Sequence, residues 1–441
     1  MTFKKRREKL LDMVNEGVAI IPSNNLVTRT NDTEHPFRQN SVFYYFTGFN
    51  EANSILVLSN KNGEKKSILF CEEKNPELEL WTGKRLGPDD AVKELAVDQT
   101  HGISTFKSLI PGLLAGAKSL YMNCFDINET AKIVLNTCDK LWKSRKKSGH
   151  LPNKIEHLDV ITEKMRLVKE EGEIQFMREA IKKTNHGHRV AMAKTKPGLN
   201  ERDIHAVMEY TFKMDMGEGP AYGMIIAGGD NANILHYINN NDVLKDGDLL
   251  LIDAGAEFGL YASDVTRTFP INGKFTESQK QVYNAVLNAQ EAVIKAAKPG
   301  LTLKDLHSIS SLSLANSLVD LGVLKGKAED IINSGDIKKY FPHGTGHWLG
   351  LDVHDQCPYL DDKANDIVLE ENMIFTVEPG LYFSKNDHQI PEKFKGIGIR
   401  IEDNILITSD GCENLTKDIP KTISEVERQC SLNYVDVLHQ K

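Results

Sequence analysis

Along this chain the spacing of hydrophobic and polar positions changes character near residue 150. Through the first 140 residues, short aliphatic runs such as VAIIP, SILVLS, KSILF and KSLYMN alternate with stretches of helical spacing. That alternation predicts a compact α/β domain over residues 1–155. The stretch WKSRKKSGHLPNK (142–154) is basic, broken by glycine and proline and poor in apolar residues, so it reads as a linker. From 156 to 441 longer helical patterns are followed by grouped strand-like runs, the pattern of an α+β domain.

This second region contains a repeat. AMAKTKPGLNERDIHAVM (191–208) and VIKAAKPGLTLKDLHSIS (293–310) share Lys-Pro-Gly-Leu followed by Asp-apolar-His, offset by 102 residues. In each, a helix is expected to end near the Pro-Gly and another to start just beyond it. The offset is too long for a solenoid period. It fits an internal duplication into two α+β halves.

Strand-like runs in both halves carry acids where apolar side chains would pack better. DLLLIDAGAEFGLYASDVTRTFPI (248–271) reads as a hairpin with Asp253 in one flank and Asp264 in the other. With Phe258-Gly259 as the two-residue loop, counting outward sets Asp253 opposite Asp264, on one face and within roughly 5.5 Å at Cβ. Two carboxylates that close repel, and the run LLLID argues for a poorly solvated face, so a cation between them is the sharper reading. In NMIFTVEPGLYF (372–383) Glu378 ends an apolar run just before Pro379. In GIGIRIEDNILIT (396–408), read as one strand, Arg400, Glu402 and Asn404 share a face.

Composition narrows the classes. The chain has 441 residues with 40% hydrophobic, 26% charged and a net charge of −8, ordinary for a protein of two or three domains. The acidic balance argues against a general nucleic-acid binder. Six scattered cysteines without a CxxC pair suggest neither a disulfide framework nor a thiolate zinc site. The basic N-terminus is followed by no long apolar run, so a cytoplasmic protein without a membrane span is expected. GVLKGKA (322–328) has the wrong glycine spacing for a phosphate-binding loop.

Between the acid-bearing strands of the second half lies FPHGTGHWLGLDVHD (341–355), with His343, His347 and His354 among glycines. HGTGH lacks the glutamate and the helix of a zinc-protease motif; its glycines suit close backbone approach to something bound. Asp253, Asp264, Glu378 and Glu402 with one imidazole make a donor set suited to two divalent ions sharing bridging carboxylates. Its oxygen-rich character favours Mn²⁺ or a similar hard ion.

These segments, LIDAGAE, ASDVTRTFP, HGTGHWLGLDVHD, TVEPGLYF and GIGIRIED, resemble the metal-site motifs of the creatinase/aminopeptidase family of pita-bread fold, closest to its aminopeptidase P branch. TEHPFRQNSVFYYFTGFNE (33–51), LWTGKRLGP (80–88) and MRLVKEEGEI (165–174) extend the resemblance over nearly the whole chain. It implies an N-terminal domain over 1–155 and a pseudo-twofold catalytic domain over 156–441. The implied metal ligands are Asp253, Asp264, His347, Glu378 and Glu402, with Asp264 and Glu402 bridging. His236, His343 and His354 are implied in substrate binding and transition-state support, Glu378 in proton handling, and Arg400 in holding an acid. The implied reaction is attack by metal-activated hydroxide on an Xaa-Pro bond, releasing the first residue of peptides with proline second. The branch further implies self-association into dimers or tetramers, with Asp32 and Trp81 placed to meet a neighbouring subunit's site. Prolidase, which cleaves Xaa-Pro dipeptides with the same metal set, is the nearest alternative, and an inactive binding module on this fold the more distant one.

Overall fold

The computed structural model describes residues 3–148 and 151–440. The chain divides into two compact units, Met1–Met165 and Arg166–Lys441. In the first, a mixed six-stranded sheet runs in the spatial order Gln99–Gly102, Glu64–Cys71, Ile55–Lys61, Gly17–Pro22, Ser119–Met122, Lys154–His157. The aliphatic runs of the sequence supply its inner strands. Val18, Ile20, Val57, Ile68 and Leu120 form one core with Phe106, Ile110 and Val134 from the helices Phe106–Leu114 and Glu129–Lys143. The basic stretch 142–154 is not a free linker. Trp142 and Lys143 finish a helix, Arg145–Ser148 adds a further turn, and Lys154 opens the edge strand; Gly149 and His150 lie outside the described residues.

The second unit is built from two matching halves. Helices α1 (Glu171–Lys194) and α2 (Glu201–Lys213) lead into strands β1 (Ile225–Gly228), β2 (Leu249–Asp253), β3 (Ala256–Phe258), β4 (Tyr261–Ala262) and β5 (Thr266–Pro270). Helices α3 (Glu277–Ala296) and α4 (Leu303–Asp320) lead, after a long irregular segment, into β6 (Ile374–Val377), β7 (Gly380–Phe383), β8 (Ile397–Arg400) and β9 (Asp403–Ile407). The duplication extends to single hydrogen bonds. Gly198 N–H donates to Leu244 O (2.9 Å) and Leu244 N–H to Leu199 O (2.8 Å); Gly300 and Leu369 repeat this with Leu301, at 3.0 and 2.7 Å. Both turns feed capped helices, Asn200 with Asp203 and Thr302 with Asp305 forming reciprocal capping boxes. Ile226, Ile252, Phe269, Val286, Leu314 and Ile399 join the halves in one core.

Each half carries a long hairpin whose strands break partway. In the first, β2 pairs with β5 and β3 with β4, leaving Ala254-Gly255 and Ser263–Val265 between ladders. In the second, β6 pairs with β9 and β7 with β8, leaving Glu378-Pro379 facing Ile401-Glu402. GIGIRIEDNILIT is therefore two strands in two sheets rather than the single strand expected.

The first hairpin also corrects the register read from sequence. Its loop is Gly259-Leu260, with φ of 55° and 61°, the positive values a two-residue turn demands. Asp253 consequently faces Thr266 instead of Asp264, which falls two residues earlier. The directly opposed carboxylates occur in the second hairpin, at Glu378 and Glu402.

Candidate metal centre and active site

A cavity of about 310 Å³ in the second unit is lined by Asp253, Asp264, His347, Glu378 and Glu402 together with His236, His343, His354 and Arg400. The nine residues implied as metal ligands or catalytic groups thus share one space. The strand breaks explain how the carboxylates arrive there. Asp253 ends β2, while Asp264, Glu378 and Glu402 sit where the chain has left one ladder and not yet joined the next. Backbone freed from pairing can turn a side chain inward that a regular strand would hold in line.

The imidazole comes from a loop that follows β6 as an extra partial strand. Thr376 N–H donates to His347 O (2.9 Å) and Glu378 N–H to Thr345 O (2.7 Å). Gly346 permits this approach, because a Cβ there would stand 1.8 Å from Thr376 O. His347 Nδ1 is 3.0 Å from Trp348 O and so carries the proton, leaving Nε2 aimed at Asp264 (3.3 Å) and Glu378 (3.8 Å). This is the ring orientation of a histidine that ligates through Nε2.

The electrostatics fit a cation. Ligand atoms of Asp264, His347 and Glu402 lie within 4.8 Å of one another. Burial, reinforced by Asp253, raises the Asp264 carboxyl. Burial pushes Glu378 up to about 7 against the pull of His347 and Arg400. Burial, then Asp264, Glu378 and Asp253, hold Glu402 well above the carboxylate range. His347 moves the other way: burial opposes its charge, yet Asp264 and Glu378 outweigh it and bring the imidazole to about 9. So many acids around one dry point ionise together only when positive charge joins them. Oxygen donors with one imidazole suit divalent ions harder than those of a thiolate site.

Arg400 and partners that the sequence did not single out hold these ligands. Arg400 Nη2 donates to Asp253 Oδ2 (2.6 Å), and its Nε to Thr266 Oγ1 (3.1 Å). The Thr266 hydroxyl in turn donates to Glu402 Oε2 (2.7 Å). The Tyr222 hydroxyl reaches both Asp253, at 2.7 Å, and Asp264. Asn404 brackets the Asp264 backbone, its Oδ1 accepting from the N–H and its Nδ2 donating to the carbonyl. Behind Glu402, fully buried Arg267 pairs with Asp403 at 2.7 Å and donates to Glu402 O at 2.6 Å.

The three remaining histidines differ in surroundings. His343 Nε2 contacts the Tyr382 hydroxyl at 2.7 Å, and burial with Arg400 nearby lowers its imidazole to about 4. His354 stands edge-on to His347 with ring centres 4.2 Å apart. His236 lines the cavity wall beside Leu235. In the other unit Asp32 and Trp81 are both exposed.

The loop carrying His354 is anchored by buried charge. Asp355 accepts from Lys169 Nζ (3.0 Å) and from Arg166, whose Nη2 also donates to Asp352 at 2.7 Å. Burial disfavours the Asp355 carboxylate, but Arg166 and Lys169 overcome it and hold the group well below its ordinary range. Asp355→Asn leaves two buried cations short of their counter-charge. It is expected to destabilise the protein by about 3–5 kcal/mol, measurable by urea denaturation. A loss below about 1 kcal/mol would show that the ion cluster does not anchor the loop.

Comparison with known proteins places this site in context. The model of metallopeptidase family M24 matches residues 175–409, and that of the aminopeptidase P N-terminal domain matches residues 3–121. The Xaa-Pro aminopeptidase of Haemophilus influenzae is 40% identical over 428 residues, 96% of each chain. Pseudomonas aeruginosa aminopeptidase PepP shares the fold with a TM-score of 0.94 at 37% identity, covering 97% of each chain. Zinc-substituted Escherichia coli aminopeptidase P in complex with product gives 0.94 at 37% identity, covering 100% of this chain and 99% of that one. The chain belongs to metallopeptidase family M24, with an aminopeptidase P N-terminal domain preceding the family's catalytic fold.

Proposed function

We propose that this protein is an Xaa-Pro aminopeptidase, a dinuclear-metal hydrolase that releases the first residue from peptides with proline second. The observation that carries the reading is the convergence of four carboxylates and four histidines on one cavity, with His347 Nε2 turned toward the acids. Relatives named for the same activity support it over nearly the full chain.

Asp253, Asp264, His347, Glu378 and Glu402 would hold two Mn²⁺ ions, Asp264 and Glu402 serving both. When bound, such ions acidify a shared water and polarise the scissile carbonyl. The protein's own groups do the rest. Glu378 would take the water's proton and return it toward the departing prolyl nitrogen. Arg400 fixes Asp253 by a charge-assisted bond. His354 or His236 offers an N–H to the developing oxyanion, and His343 helps seat the substrate. The Xaa-Pro bond is a tertiary amide of restricted geometry, so cleaving it calls for a dedicated wall around the proline ring. Asp32 and Trp81, exposed in the first unit, are assigned to contact with a second subunit in a homodimer or homotetramer, and the enzyme to the cytoplasm. Among the described residues no helix is long and apolar enough to cross a membrane.

The test is hydrolysis of Gly-Pro and of a longer Xaa-Pro peptide, followed by mass spectrometry, using chelator-treated protein before and after adding Mn²⁺. Metal-restored release of the first residue from the longer peptide is expected. Cleavage of the dipeptide alone would make the enzyme a prolidase, and no cleavage with any divalent ion would leave a binding module.

A further inference from the structure

The Asp-apolar-His motif that follows each Lys-Pro-Gly-Leu turn lines no part of the cavity. Its first two positions have local explanations. Asp203 and Asp305 close capping boxes, and Ile204 and Leu306 are core residues with 0% and 1% exposure. The histidines, His205 and His307, occupy the same position on α2 and α4 and are half-buried. Neither a cap nor the core calls for an imidazole there.

Each reaches toward a loop that carries cavity histidines. His205 Nδ1 lies 3.0 Å from Asn240 Nδ2. The Asn240 amide is oriented by backbone: its Oδ1 accepts from Ile226 N–H (2.9 Å) and its Nδ2 donates to Met224 O (2.8 Å). Nδ2 therefore faces the ring, and His205 Nδ1 is the acceptor. Asn240 ends the segment containing His236, and next to Ile226 stands Ile225, the ladder partner of Asp253. In the second half, His307 Nδ1 lies 2.9 Å from Thr345 Oγ1, its ring packed on Phe341 with centres 5.6 Å apart. Thr345 stands between His343 and His347, is 4% exposed, and accepts the Glu378 N–H through its carbonyl.

We propose that His205 and His307 are a duplicated pair of positioning residues. His205 acts through Asn240 on the loop bearing His236, and His307 acts through Thr345 on the loop bearing His343 and His347 and on Glu378. The inference rests on the reading of this cavity as the hydrolytic site. The pair is matched in position but differs in what it steadies. His307 stands behind two candidate metal ligands, whereas His205 stands behind a residue assigned to substrate. Burial lowers both imidazoles, so both are neutral at pH 7 and act as hydrogen-bond partners rather than as charges.

That difference gives the two halves separate signatures. His205→Ala, His205→Asn, His307→Ala, His307→Asn and Thr345→Val are compared with wild type in the full chain. The measurements are Mn²⁺ affinity of chelator-treated protein by calorimetry, kcat and KM on an Xaa-Pro peptide, and melting temperature. His307→Ala is expected to weaken Mn²⁺ binding by about tenfold or more, as loss of a ligand-supporting partner does. Thr345→Val, which keeps the volume, should reproduce the effect and add little to it in the double variant. His205→Ala is expected to raise KM by about fivefold with Mn²⁺ affinity unchanged. Asparagine places an amide atom where Nδ1 stands, so both asparagine variants should recover most of the loss. Melting temperatures that fall while Mn²⁺ affinity and KM keep their wild-type values would overturn the proposal, as would asparagine variants no better than alanine. If the variants shift Mn²⁺ affinity as described but the wild type releases nothing from the peptide, the hydrolytic reading fails and the His307–Thr345 link stands.

Discussion

Glu402→Ala is expected to lower turnover of an Xaa-Pro peptide by about 10³-fold or more and to reduce bound metal per chain. As the proposed ligand of both cations, Glu402 would account for several kcal/mol of transition-state stabilisation, and each 1.36 kcal/mol is a factor of ten. Glu402 is 2% exposed, its Oε2 accepts from Thr266, and its backbone N–H donates to Thr266 O at 3.0 Å. Nothing nearby can take its place: Asp264 and Glu378 are committed to their own positions, and the neighbouring Asp403 is turned away toward Arg267. The fold should survive, since the change removes a buried acid that burial and three other carboxylates hold well above its ordinary range. Elemental analysis of metal per chain alongside kcat checks this. Near-normal activity in saturating Mn²⁺ would remove Glu402 from the metal centre.

His354→Ala should behave differently, lowering kcat by about 10²-fold or more while bound metal stays at the wild-type level. The His354 ring meets His347 edge-on, and burial, then His347 and His236, lower its imidazole. It is therefore a neutral N–H donor at pH 7, suited to oxygen charge that develops only in the transition state. A group of that kind lowers kcat and kcat/KM together when removed, with little change in KM. Metal content measured beside the kinetics decides the matter. If it falls with activity, His354 is a ligand.

The faces of the acid-bearing strands were legible because apolar runs interrupted by carboxylates contradict ordinary packing. The duplication was legible too, since turns and helix starts depend on local chemistry. Register was not. Leucine seldom adopts positive φ, so Phe258-Gly259 looks like the natural loop until tertiary contacts are known. Leu260 N–H is held by Glu218, and a Cβ on Gly259 would press to 2.3 Å from the Phe176 ring. The strand breaks were hidden for a similar reason: GIGIRIEDNILIT alternates smoothly, and only its partners show that Arg400 and Asp403 belong to different sheets. Tyr222 and Thr266 gave no signal, and Asn404 only a shared face, because an isolated polar residue near a strand has many ordinary explanations. The buried charges of Arg166 and Lys169 were read only as part of a resemblance, since charge is solvated far more often than it is interred.

The candidate ligands are drawn from both halves of the second unit, and Arg400 lies 147 residues along the chain from the aspartate it grips. Neither half holds a complete set. A chain released early or unfolded in one of them would lack the means to cut a peptide bond. Hydrolytic power is thereby confined to molecules that have finished folding, a built-in safeguard against stray proteolysis by damaged copies.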